Sequence, residues 1–188
     1  MSFQDKLLDS FIAFEQVIDL DNPVQTVRKN ALKRFESDGF PTKKDELWKY
    51  TSLKSIIQKD YSLSVKSNPN VGLKDIEKYS INDIDSYKIV FVDGVFNPFL
   101  SNTTHDGMDI CVLSAALSKT KYKKTITKYF NKIVPDDQSL ASLNTSYTKE
   151  GAYIHMPKTV LPKDPVQVLH FSTGNNRPLW LRPRIIII

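Results

Sequence analysis

The spacing of apolar residues changes along this chain, and that change governs what it is able to fold into. Before Gly151 most apolar residues recur every three or four positions, the period of a helix with one buried face. After it they arrive as short β-branched runs, Ala152–Met156 and Val166–Phe171, separated by Pro157, Pro162 and Pro165. Such patterning predicts an α+β chain: a mainly helical part over residues 1–150 that includes a small β-hairpin, then strands over 151–188. A chain of 188 residues is long enough to bury roughly 70 % of its extended surface.

Phe3, Leu7, Phe11, Phe14 and Ile18 form the first amphipathic stripe. Asp21 or Asn22 before Pro23 predicts a second helix start; Val24, Val27, Ala31 and Phe35 continue the stripe and Gly39 supplies a left-handed stop. Two helices so linked are expected to pack as an antiparallel hairpin. The aromatic stretch from Phe40 to Leu53 predicts short helical turns, and 61–70 a polar loop. Lys88 to Pro98, with Asp93-Gly94 between two apolar runs, predicts a β-hairpin, and Asp109 to Leu113 another strand. A basic helix is expected from Thr120 to Ile133. After Pro135, Asp136 or Asp137 is placed to cap a helix with Leu140, Leu143 and Tyr147 on one face and Gly151 as its stop.

Several chemistries are excluded by residue supply. The six glycines, Gly39, Gly72, Gly94, Gly107, Gly151 and Gly174, are scattered, so no phosphate-cradling loop exists. Protein-bound iron–sulfur clusters want about four thiolates, sometimes with two histidines instead, and the chain offers only Cys111, His105, His155 and His170. No metal or cofactor is therefore assigned to it, and no catalytic residue. Cys111, between Ile110 and Val112, reads as a small buried hydrophobe. His155 and His170 fall on neighbouring predicted strands but lack the further ligands a metal site needs. The pairs Asp45-Glu46 and Asp136-Asp137 read as helix starts, where carboxylates favour the positive end of the dipole.

The net charge of +5 is mostly lysine. Lys119, Lys121, Lys123, Lys124, Lys128 and Lys132, interleaved with Tyr122, Tyr129 and Phe130, are the alternative to consider, a nucleic-acid-binding module. Ile126, Tyr129, Phe130 and Ile133 have helical spacing, however, and read as the buried side of a helix whose lysines are solvated. The opening twenty residues carry Asp5, Lys6, Asp9 and Glu15 and so lack the apolar core of a secretory signal. With a single cysteine, the chain is expected to be cytoplasmic.

Three stretches together resemble the SufD family of iron–sulfur cluster assembly proteins: Gly39 to Leu53 with its Gly-Phe-Pro and Trp-Lys-Tyr-Thr cores, Val90 to Ser101, and Leu140 to Tyr147 leading into Glu150 to Lys158. The resemblance implies a mostly helical domain, then a right-handed parallel β-helix, then a further helical domain. It implies a non-catalytic scaffold subunit that pairs with a SufB-like protein and, through later regions, with the SufC-like ATPase. Pro183-Arg184 before an apolar run resembles the family's entry into the β-helix, whereas Asn176 to Arg182 match poorly. On this reading 151–188 is the start of a truncated β-helix, the fragment is inactive alone, and no site residue or cofactor is carried over. A solenoid coil needs stacked neighbours. The strands from Ala152 onward are thus expected to pack on the helical domain or pair with a second chain along Ile185–Ile188.

Overall fold

The computed structural model describes residues 1–18, 23–63, 68, 70–104, 107–135, 137–174 and 177–188. Asp21, Asn22, His105 and Asp136 lie outside these, so the expected caps at Asp21, Asn22 and Asp136 go with them. Helix α1 (Phe3–Gln16) starts at a capping box in which Ser2 and Asp5 satisfy each other's backbone amides, and it buries Leu7 and Phe11. Helix α2 (Gln25–Asp38) begins after Val24 and ends at Gly39, whose φ of +67° is the expected stop. Short turns follow at Glu46–Trp48 and in α3 (Lys54–Ile57) and α4 (Leu73–Glu77).

Strands β1 (Tyr87–Val92) and β2 (Val95–Phe96) form the predicted hairpin. Asp93 and Gly94 both have positive φ, 51° and 80°, which suits the two-residue turn that matches strand twist. The Asp93 side chain is fully buried. Its carboxylate accepts hydrogen bonds from the Thr173 amide and hydroxyl, both at 2.8 Å, tying the turn to the far end of β5 (Val166–Phe171). Then come β3 (Asp109–Val112), α5 (Leu113–Ser118), α6 (Thr120–Tyr129), α7 (Ser139–Ser146), β4 (Ala152–His155) and β6 (Ile185–Ile187).

The strands form two three-stranded mixed sheets, β2-β1-β5 and β3-β4-β6. β1 runs parallel to β5 over six residue pairs and β4 parallel to β6 over three, while β1–β2 and β3–β4 are antiparallel. The α+β class agrees with expectation. The strands after Gly151 do not stack into a coil of their own among the described residues. They complete sheets begun by β1 and β3, because central strands buried on both faces demand partners: Ile89 to Val92 and Ala152 to Ile154 are continuous apolar runs, not alternating ones. Consequently β4 and β5 belong to different sheets, and His155 and His170 do not lie on neighbouring strands as their sequence positions suggested.

Facing sides of the two sheets share a core of Ile89, Phe91, Met108, Ile110, Ala152 and Ile154. Behind the first sheet, Val90 and Val92 pack on Ile76 of α4. Behind the second, Tyr153 and Ile186 pack on Val24, Leu113, Ala116, Leu117, Tyr122, Ile126 and Phe130. A fourth cluster joins Leu7 and Phe11 of α1 to Phe35 of α2 and to Leu143 and Tyr147 at α7. α2 packs most extensively on α7, whose small buried Ser142, Thr145 and Ser146 permit close approach.

Three local expectations are corrected. The basic helix ends at Tyr129, because Asn131 takes a left-handed φ of 55° and its side chain accepts a hydrogen bond from the Thr145 hydroxyl at 2.8 Å. Tyr129 and Ile133 are exposed, and Tyr122 takes the buried place with Ile126 and Phe130. Gly151 does not stop α7, which closes at Tyr147. Its role is close backbone approach, since a Cβ there would lie 1.9 Å from the Arg184 carbonyl oxygen.

Candidate functional site

The densest meeting of titratable groups lies where the helix-facing side of β3–β4 reaches the start of α6. Alternation along the two antiparallel strands puts Asp109 opposite His155 and Cys111 opposite Tyr153, all on that side. Lys121 Nζ donates to both Asp109 oxygens at 3.1 and 2.9 Å, and the Tyr122 hydroxyl donates to Oδ1 at 2.7 Å. His155 Nδ1 is 3.4 Å from Oδ2. The Tyr122 and Tyr153 rings lie 5.0 Å apart.

Burial raises the Asp109 carboxyl, but the hydrogen bonds from Lys121 and Tyr122 and the Lys121 charge outweigh it, and the pKa falls below its ordinary value. The same pairing raises Lys121. Burial, then the Asp109 charge, pushes Tyr153 up to about 12. Burial also raises the half-buried Cys111 thiol, with Lys119 opposing and Asp109 adding to it. At neutral pH the Asp109 anion is therefore held by the Lys121 cation and the Tyr122 hydroxyl, with His155 beside it and both phenols and the thiol protonated. The group works as a clasp between a sheet and a helix.

His170 stacks on Phe91 at 4.9 Å in the other sheet, and burial lowers its pKa. Among the described residues no three metal-ligating side chains come together. Asp45 accepts hydrogen bonds from the Thr42 amide and hydroxyl, and Glu46 pairs with Lys49. Asp137 is exposed and precedes, without capping, a helix that begins at Ser139.

The lysine segment does not present a stacking platform. Tyr122 and Phe130 are in the core, Lys121 is held by Asp109, and Tyr129 alone of the three rings is exposed, beneath Lys128 Nζ at 4.9 Å. An open groove of about 650 Å³ lies between the start of α1 and residues 57–60, walled by Phe3, Phe40 and Ile57. Its Asp60 is already taken up by Lys6 and Arg177.

Two arrangements escaped the sequence reading. Arg28 is 1 % exposed, donates Nε–H to the Thr148 carbonyl at 2.8 Å, and is driven by burial to a pKa of about 10. Its signal was its phase, four residues after Val24 and three before Ala31. The second is an extended strap across the helices. Trp180 meets the Phe3, Phe40 and Tyr61 rings; Arg182 lies 4.3 Å over Tyr147; Arg184 lies 5.2 Å over Phe130 and bonds Asn144 and Thr145. Its signal was a period of two through Trp180, Arg182, Arg184 and Ile186.

The family model described as the SufBD protein N-terminal region matches residues 1–168. A curated relative from Synechocystis sp., described as an iron–sulfur cluster assembly SufBD family protein, is 23 % identical over 168 residues. That match covers 89 % of this chain and 37 % of the relative, so the chain spans little more than a third of the relative's length.

Proposed function

The chain belongs to the SufBD family through its N-terminal region, and from that premise we propose that it serves iron–sulfur cluster assembly as the folded head of a scaffold subunit. The match over residues 1–168 carries the reading. The scaffold part of it is supported by the internal pairing of the Asp109 clasp, which uses its polar groups to hold β3 and β4 against α6. In this reading the iron–sulfur cluster is the cargo of a larger assembly, not a resident of residues 1–188. On the same reading a longer protein adds a β-helical body to the chain, and that protein has a SufB-like protein and a SufC-like ATPase as its partners in the cytoplasm. No described helix is long and apolar enough to cross a membrane.

The test is co-expression of the longer protein with SufB-like and SufC-like proteins, followed by size-exclusion chromatography and cluster reconstitution read by visible absorbance. Co-elution and faster cluster formation are expected. Separate elution together with unchanged cluster formation would overturn the proposal.

A further inference from the structure

From Glu36 to Asp75 no described residue is buried, although Leu47, Tyr50 and Ile56 lie in this segment at 79, 90 and 42 % exposure. The middle of the segment is nevertheless internally fixed. Consecutive tight turns are held by Asp45 N–H to the Thr42 carbonyl at 3.0 Å, Trp48 N–H to that of Asp45 at 2.8 Å and Thr51 N–H to that of Trp48 at 2.9 Å. Asp45 Oδ2 braces the entry by accepting from the Thr42 amide at 2.6 Å and its hydroxyl at 3.0 Å. Leu47, in the 3₁₀ turn Glu46–Trp48, and Tyr50, in the turn that follows it, lie three residues apart and are both exposed.

The charge around the turn is mainly positive, Asp45 being the one carboxylate in it without an ion pair among the described residues. Glu46 is paired with Lys49, and Asp60 with Lys6 and Arg177. Lys43, Lys44, Lys54 and Lys59 are exposed and have no ion pair among the described residues. A preformed turn loses little conformational freedom on association, and exposed apolar side chains in a lysine-rich segment select an apolar partner surface edged with carboxylates.

We propose that the Thr42–Thr51 turn docks an amphipathic acidic helix of a partner protein, with Leu47 and Tyr50 on its apolar stripe and Lys43, Lys44 and Lys54 against its carboxylates. The proposal rests on this turn's own residues and stands apart from the assembly role above. The probe is a dye-labelled helical peptide of about 16 residues, with leucines at i, i+3, i+4 and i+7 and glutamates on the flanks, titrated with the 188-residue chain by fluorescence anisotropy. A glutamine-for-glutamate peptide and phosphatidylcholine vesicles with about 30 % phosphatidylserine are the comparisons. Micromolar binding of the glutamate peptide is expected. Leu47→Ser with Tyr50→Ser weakens it at least about 10-fold. Lys43→Gln, Lys44→Gln and Lys54→Gln together weaken it about 5-fold and flatten its salt dependence. Lys123→Gln, Lys124→Gln and Lys128→Gln on α6 leave it unchanged. All these side chains lie outside the core, and unaltered thermal melts verify that folding is intact. The proposal is overturned by equal binding of the two peptides, by no loss on changing Leu47 and Tyr50, or by tighter binding to the vesicles. It is equally overturned if the longer protein rejects a peptide that this chain binds, since its own chain then covers the turn.

Discussion

Replacing Gly151 with alanine is the sharpest challenge to the way the last strand is attached. The added methyl would meet the Arg184 carbonyl oxygen at 1.9 Å and its carbon at 2.9 Å, both backbone atoms that no rotamer change moves aside. Relief requires the entry to β6 to shift away from β4. That strains the Ala152 N–H bond to Arg184 (2.9 Å), and with it the bonds from Ile188 N–H to Ile154 (2.9 Å) and from Met156 N–H to Ile188 (2.8 Å). Each such bond contributes about 1 kcal/mol net. Ile186, only 8 % exposed, contributes about 2 kcal/mol through burial. Full detachment of the strand therefore costs about 5 kcal/mol and partial relaxation about 3 kcal/mol, a large share of the 5–15 kcal/mol that holds an ordinary domain. Urea unfolding followed by circular dichroism measures the global loss, and hydrogen exchange at the Ile188 amide reports the strand itself. Gly72→Ala is the control: its added methyl meets nothing nearer than 3.9 Å, so its cost stays within about 0.5 kcal/mol. If Gly151→Ala stays within about 1 kcal/mol of the parent and leaves the Ile188 amide equally protected, the close approach does not govern this strand.

Three further outcomes follow from the buried polar groups. Tyr153 has a folded pKa of about 12 against an ordinary value of 10.0, so its contribution is complete below about pH 10 and lost as pH rises through 12; Tyr153→Phe should flatten that alkaline limb in pH-dependent melts. Asp109 is held below its ordinary value of 3.8, so its contribution is present above that pH and lost as the solution is acidified. Asp109→Asn should cost about 1 kcal/mol at pH 7 and weaken the acid limb, read by urea titration at several pH values. Arg28→Met removes a desolvated cation but orphans the Thr148 carbonyl, opposing effects that should nearly cancel, whereas Arg28→Ala leaves a cavity and should cost about 3 kcal/mol; equal stabilities for the two variants would contradict the packing role of the arginine stem.

Local elements were largely legible in the sequence because their causes are local. The Phe3–Phe14 stripe, the stop at Gly39, the Asp93-Gly94 turn and the extent of β5 each depend on residues a few positions apart. The resemblance carried by Gly39–Leu53, Val90–Ser101 and Leu140–Lys158 likewise sufficed to name the family. Where the last strands go depends on residues far away in the chain. β5 joins β1 across more than seventy positions, and β6 joins β4, because each central strand presents two apolar faces and an open hydrogen-bonding edge that periodicity cannot assign to a partner. Only tertiary packing made Gly151 a point of backbone contact, turned Arg28 inward to the Thr148 carbonyl, and gathered Asp109, Lys121, Tyr122 and His155 around one carboxylate. A residue's own neighbours decide its backbone conformation; its desolvation and its partners are decided by whatever the rest of the chain places against it.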